Sequence, residues 1–290
     1  MNWTLVIGDP AYSSWSLRAW LLFDRFNLPM SLQHVSFAEH TVAAQIPDYS
    51  PARTVPTVRT PEGTVIWDSL AIAEELATRF PAANLWPAEP AQRATARAVT
   101  AEMHSGFSAL RTTCPMNLRM AHIGFPVPEE VKEDLARLEM IWTHARAMSV
   151  GDGPWLFGAY SIADAFFAPV AARIATYDLE LGASAQAYVA AHLADPAFRR
   201  WRALGLTHGP DLPWYFRDYP QRMWPGPTPR SARVVSDGVS ENTVCPYSGG
   251  AISHLIEVEG RIFGFCNAGC RDKTLVDPDA FPAFSALLAQ

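Results

Sequence analysis

The sequence predicts an α/β domain followed by an all-helical domain and a small cysteine-containing module. Strand and helix signals alternate over residues 1–80. Strand signals then give way to long alanine-rich helical patterns over residues 92–205. Glycine and cysteine gather in the last stretch, residues 236–290. A proline- and alanine-rich linker (81–91) and a proline- and aromatic-rich arm (206–235) separate the three parts.

In chain order, Trp3-Thr4-Leu5-Val6-Ile7 reads as a short apolar strand. The hydroxyl-rich turn Ala11–Arg18 follows, and Leu17, Trp20, Leu21 and Phe23 mark a helix that Asn27-Leu28-Pro29 ends. Leu32–Phe37 alternates in period two, and a polar stretch runs on to Pro51. Arg53–Val58 is a strand interrupted by Pro56, which cannot donate to a ladder and belongs at an edge or bend. Thr64–Trp67 is a further strand, and Asp68-Ser69 stands as an N-cap before the helix Leu70–Leu76. In the second domain helices are expected over 94–110, 128–148, 165–177, 187–192 and 196–204. Ser161 and Asp164 have capping-box spacing. So many prolines and aromatics in the arm imply an extended segment laid over the helical domain.

The 290 residues are 49% apolar and 18% charged, with mean hydropathy +0.00. A net charge of −6 argues against a nucleic-acid or anionic-membrane partner. No apolar run reaches membrane-spanning length, and Met1-Asn2-Trp3 begins no basic, apolar leader. Four cysteines are too few for a disulfide scaffold, which fits a soluble, cytoplasmic protein.

The turn Tyr12-Ser13-Ser14 places hydroxyls beside the unpaired N–H groups and positive dipole end of a helix, where an anion is stabilised. Serine there also simply caps helices. Taken together, this serine turn, Val55-Pro56 before a middle strand, Asp68-Ser69 at the last helix start and Ser161-x-x-Asp164 resemble the glutathione transferase family over roughly residues 1–205. Tyr12–Arg18 is most similar to the zeta-type motif Ser-Ser-Cys-Ser-x-Arg, with Trp15 in place of the cysteine.

The resemblance implies a thioredoxin-like domain that binds glutathione, a helical-bundle domain that supplies most of the co-substrate pocket, and a homodimer. It implies that Ser13 donates to the glutathione sulfur, with Tyr12 and Ser14 as the other candidates. Pro56 is expected to be cis, so that Val55 pairs with the cysteinyl unit, and Asp68 and Ser69 to hold the γ-glutamyl end. Ser161 and Asp164 would be structural. His104, Arg111 and Arg173 are the candidates for the electrophile pocket, and Cys114 reads as a buried thiol. The implied activity is glutathione conjugation or isomerisation of a small electrophile, of the maleylacetoacetate-isomerase kind. The rival is a glutathione-binding metal sensor or metal-handling protein without turnover.

In the C-terminal module, Ile252–Val258 and Arg261–Phe265 read as a hairpin turning at Glu259-Gly260. The hairpin returns Cys266 and Cys270 beside Cys245. Three soft sulfur ligands suit zinc, copper(I) or iron, with His254 and Asp272 the nearby candidates for a fourth ligand. Spacing, Phe-Cys-Asn and Asp277-Pro278-x-x-Phe281 resemble the TRASH and YHS metal-binding modules over residues 243–284, with zinc the default metal.

Overall fold

The computed structural model describes residues 2–149 and 151–290; Met1, where the leader reading begins, lies outside them. Strands β1 (Trp3–Ile7) and β2 (Met30–His34) run parallel. β3 (Thr57–Arg59) pairs antiparallel to β1 and β4 (Val65–Trp67) antiparallel to β3, giving the order β2-β1-β3-β4. Period-two alternation explains why β1 is buried on both sides. Trp3, Leu5 and Ile7 face the main core with α1 (Ser14–Arg25), while Val6 packs with Val35, Ile46 and Tyr49 on the other face. A short helix α2 (Val42–Gln45) precedes that second cluster, in the stretch the sequence reads only as polar. Helix α3 (Ser69–Arg79) packs on α1 and completes the thioredoxin-like layer.

The expected helix over 94–110 is two helices, α4 (Pro90–Ser105) and α5 (Ser108–Thr113). Gly106 caps α4 through its N–H on Glu102 O at 2.8 Å, and Phe107 adopts φ 57°, which turns the chain before α5 begins. A two-residue strand β5 (Ala121–His122) leads to α6 (Glu129–Ala147) and α7 (Ile162–Tyr177). Every residue of α7 is buried, because α1, α4 and α8 (Ala183–Ala194) pack around it. Its start is fixed by Asp164, which accepts from Ser161 N (2.8 Å), Ser161 Oγ (3.0 Å), Leu156 N (3.1 Å) and Tyr188 Oη (2.9 Å). Helix α8 is longer than the expected 187–192.

Helix α9 (Pro196–Thr207) closes the bundle and presses on the first domain. A Cβ on Gly205 would lie 2.9 Å from the backbone of Ala11, so only glycine permits this approach. Beyond α9 the arm pairs β6 (Gln221–Arg222) with β5. The stretch expected to be arm to its end instead finishes in β7 (Ala232–Val235), the outer strand of a third sheet with β8 (His254–Val258) and β9 (Arg261–Phe265). Glu259 and Gly260 at φ 54° and 81° make the left-handed two-residue turn that suits strand twist. Helices α10 (Ala268–Val276) and α11 (Pro282–Leu288) follow, α10 packs on α9, and Ala203 of α9 joins the module's apolar core. The α/β domain, helical domain and hairpin-and-helix module predicted from sequence are therefore all present.

Candidate functional site

The serine turn is built by Asp9, whose carbonyl accepts from Tyr12 N (3.0 Å) and Ser13 N (2.9 Å). Ser13 is the N-cap of α1. Its Oγ accepts from Ser16 N (3.3 Å) and donates to Ser16 Oγ (2.7 Å), which in turn accepts from Gly8 N (3.1 Å). Ser14 opens the helix half-buried, and its Oγ accepts from Arg173 Nη2 at 3.4 Å. Tyr12 is buried, its hydroxyl accepts from Leu212 N at 3.4 Å, and its ring stacks on Tyr215 at 4.7 Å. Burial pushes the Tyr12 phenol up, against the pull of Leu212 N–H.

These three residues line a cleft of about 510 Å³ between the two domains. Phe37 and Val55 border it from the first domain, Arg111 and Arg173 from the second, and Tyr215 from the arm. Among the described residues no carboxylate lines it. Arg173 is held by Cys114 O (Nε, 2.9 Å) and Pro169 O (Nη1, 3.1 Å). Burial, then the neighbouring Arg111, brings its guanidinium down to about 10. Arg111 donates to the carbonyls of His104 and Gly106 at 3.2 Å each.

Behind the lining stands Arg18, which sequence reasoning did not single out. It is 1% exposed, with no hydrogen-bond partner at Nε or Nη1 among the described residues. Burial, then Arg173 and Arg111, holds it well below the guanidinium range. The Trp15 ring meets two of these cations, its centroid 4.3 Å from Arg18 and 4.6 Å from Arg111. Tyr215 was missed because the contact that seats it, Leu212 N to Tyr12 Oη, joins residues 200 positions apart. Arg18 stands in the sequence only as the last residue of the zeta-type motif, and a buried arginine has no sequence signal.

The Val55–Pro56 peptide is cis, and Val55 borders the cleft. Pro56, Asp68 and Ser69 do not line it. Asp68 caps α3, its Oδ1 accepting from Leu70 N (2.8 Å) and Ala71 N (3.3 Å), while Oδ2 lies 3.2 Å from His104 Nε2. Ser69 Oγ is buried at that helix start without a hydrogen-bond partner among the described residues. His104 stands behind Trp15, ring centroids 5.2 Å apart, and not on the cleft wall. Burial lowers its pKa while Asp68 opposes this. Cys114 is a fully buried thiol, pushed up to about 12 by burial.

In the module, the Sγ atoms of Cys245, Cys266 and Cys270 lie within 4.8 Å of one another. Cys266 directly follows β9 and Cys270 sits one turn on in α10, their sulfurs 3.8 Å apart. Ser248 Oγ (3.1 Å) and Asn267 Nδ2 (3.3 Å) donate to Cys266 Sγ. Burial opposes ionisation of Cys245. The N–H groups of Cys266, Tyr247 and Ser248, with the Ser248 hydroxyl, nonetheless pull its thiol down to about 6. His254 pairs with Ser253 Oγ (2.9 Å) and Asp272 with Arg271 (2.7 Å), and neither joins the cluster.

The family profile described as "Glutathione S-transferase, N-terminal domain" matches residues 12–79. A "Probable maleylacetoacetate isomerase" of Caenorhabditis elegans is 30% identical over 183 residues, 59% of this chain and 80% of that protein. A glutathione transferase homologue from Burkholderia with bound glutathione superposes with TM-score 0.54 at 22% identity, covering 72% of this chain and 100% of that one. Glutathione transferase Omega 2S from Trametes versicolor gives TM-score 0.55 at 20% identity, covering 74% of this chain and 99% of that one. These two likenesses show the fold. Among the described residues no helix is long and apolar enough to cross a membrane.

Proposed function

The chain belongs to the glutathione S-transferase family, and from that membership we propose that it is a glutathione-dependent enzyme acting on a small, conjugated, carboxylate-bearing electrophile. The observation that carries this reading is a cleft in which Ser13 and Ser14 meet the positive end of α1 and the only charged lining residues described are Arg111 and Arg173. A free thiol of pKa about 8.5 is mostly protonated near neutral pH. Ser13 turns its proton from Ser16 Oγ to the sulfur, and the helix dipole and nearby guanidinium groups add to the stabilisation of the thiolate. Val55 pairs with the cysteinyl backbone, and the γ-glutamyl end extends past the cleft lining to the start of α3, where Ser69 Oγ stands without a partner among the described residues. Asp68 supports that subsite by capping α3.

Arg173 and Arg111 then hold the electrophile's carboxylate by charge-assisted hydrogen bonds. For an isomerisation of the maleylacetoacetate type, the thiolate adds to the cis double bond and the electron pair moves into the conjugated carbonyl. The new single bond rotates, and expulsion of the thiolate restores a trans double bond. For conjugation, the thiolate displaces a leaving group.

The test is glutathione binding by calorimetry, with thiolate absorbance followed against pH, for wild type, Ser13→Ala and Ser14→Ala. Bound glutathione should titrate below free thiol, and Ser13→Ala should raise that pKa by about one unit, or roughly 1.4 kcal/mol. A rise only in Ser14→Ala transfers the role to Ser14, and absence of glutathione binding overturns the reading.

The three converging cysteines favour a second role for the module as a TRASH-like soft-metal site. The donor set suits zinc or copper(I), with the convergence of the three sulfurs and the two hydrogen bonds to Cys266 Sγ supporting the reading. Cys245, Cys266 and Cys270 would hold the metal, and a fourth ligand would come from outside the cluster.

A further inference from the structure

We propose that Tyr215, carried into the cleft by the arm after α9, is a specificity-determining residue whose ring forms the wall against which a flat conjugated carboxylate is oriented. The proposal rests on the thiol-activation reading above and adds a residue from outside the two domains that form the cleft.

The arm is seated firmly enough to serve as a wall. Arg119 donates to Gly205 O (Nε, 2.9 Å) and, through Nη2, to His208 O and Gly209 O at 2.8 Å each. It also pairs with Asp211 through Nη1. Leu212, 1% exposed, packs with Ala11 and Tyr12. The 3-10 turn Pro213–Tyr215 then lays Tyr215 on Tyr12 at 4.7 Å with the rings 29° apart. Tyr215 also borders the cleft together with Trp15 and Arg173. Burial raises its phenol, against the pull of Arg173, so it is neutral near pH 7. A planar π-system packs well on an aromatic face, whereas a bulky saturated group does not. An aromatic wall beside two guanidinium groups therefore selects for a flat anion.

The experiment uses the full chain and two aryl chlorides, 1-chloro-2,4-dinitrobenzene and 4-chloro-3,5-dinitrobenzoate. With each, the glutathione thiolate forms a C–S bond, the C–Cl bond breaks and chloride leaves. Tyr215→Ala and Tyr215→Leu should raise the KM of the benzoate about tenfold, with kcat and the glutathione KM within about twofold of wild type. Tyr215→Phe should restore wild-type values. Tyr215→Leu keeps apolar bulk against Tyr12 and serves if the alanine variant unseats the arm. An unchanged KM in both variants overturns the proposal. So does a parallel loss of kcat and glutathione affinity, which is what a purely structural role beside the Ser13 turn would produce. Either of these leaves the thiol-activation reading standing, whereas a wild-type protein that neither binds glutathione nor turns over either chloride overturns both.

Discussion

Arg199 on α9 meets Asp277 at the end of α10 in a two-pronged pair, Nε at 2.8 Å from Oδ2 and Nη2 at 2.7 Å from Oδ1. Both side chains are largely withdrawn from water, at 16% and 9% exposure. Beside them Arg200 joins Asp24 of α1 to the carbonyl of Ala280 in the module. The module is thus bolted to the bundle and not tethered by the arm alone.

Asp277→Ala should cost about 3 kcal/mol, because it leaves Arg199 buried without its main partner. The module should become the first part cleaved in limited proteolysis, and thermal unfolding should move to lower temperature. A melt indistinguishable from wild type would show that the pair contributes nothing to docking.

His192 gives the stability curve an acid limb. Its ring is 1% exposed among Trp155 and Tyr188, and burial, then Arg146, lowers its pKa from 6.5 to about 3. The folded state therefore holds the neutral form. Between pH 6.5 and 3 the unfolded chain binds the extra proton, so stability is lost as pH falls through that window, by about 5 kcal/mol in all. Denaturant titrations at stepped pH should show this slope in wild type, and His192→Phe should flatten it. Equal slopes in the two proteins would remove His192 as the cause.

The cysteine cluster should bind one zinc ion per chain, measured by competition with a chromophoric chelator. Cys266→Ser and Cys270→Ser should each weaken it by about 100-fold or more, since a hydroxyl is a poor substitute for a thiolate. Cys114→Ser, at a thiol outside the cluster, should leave zinc affinity unchanged. Failure of wild type to bind zinc or copper(I) would remove the metal reading.

The parts legible in the sequence were those in which one short stretch carries its own signal. Ser161 and Asp164 lie three residues apart, Glu259-Gly260 is a turn by composition, and the strand before Ser13 and the helix after it adjoin in the chain. The break between α4 and α5 was hidden, because Gly106-Phe107 carries no proline and the apolar spacing continues across it. Strand β7 was hidden because Ala232–Val235 has little apolar alternation and is fixed only by its pairing with β8. The wall of the cleft was least legible. Leu212 N and Tyr12 Oη meet across 200 residues of chain, and no local pattern announces such a contact. Arg18 runs against the rule that arginine stays wet, so only its packing beneath Trp15 reveals it.

The backbone contact of Gly205 with Ala11 ties the position of the serine turn to that of α9, the helix on which the module is docked. With no side chain between them, α9 cannot move closer to the turn that carries Ser13 and Ser14 unless the backbone at Ala11 moves as well. The two ends of the chain therefore share one mechanical datum, and natural variation at position 205 is closed to every residue larger than hydrogen unless the turn itself is rebuilt.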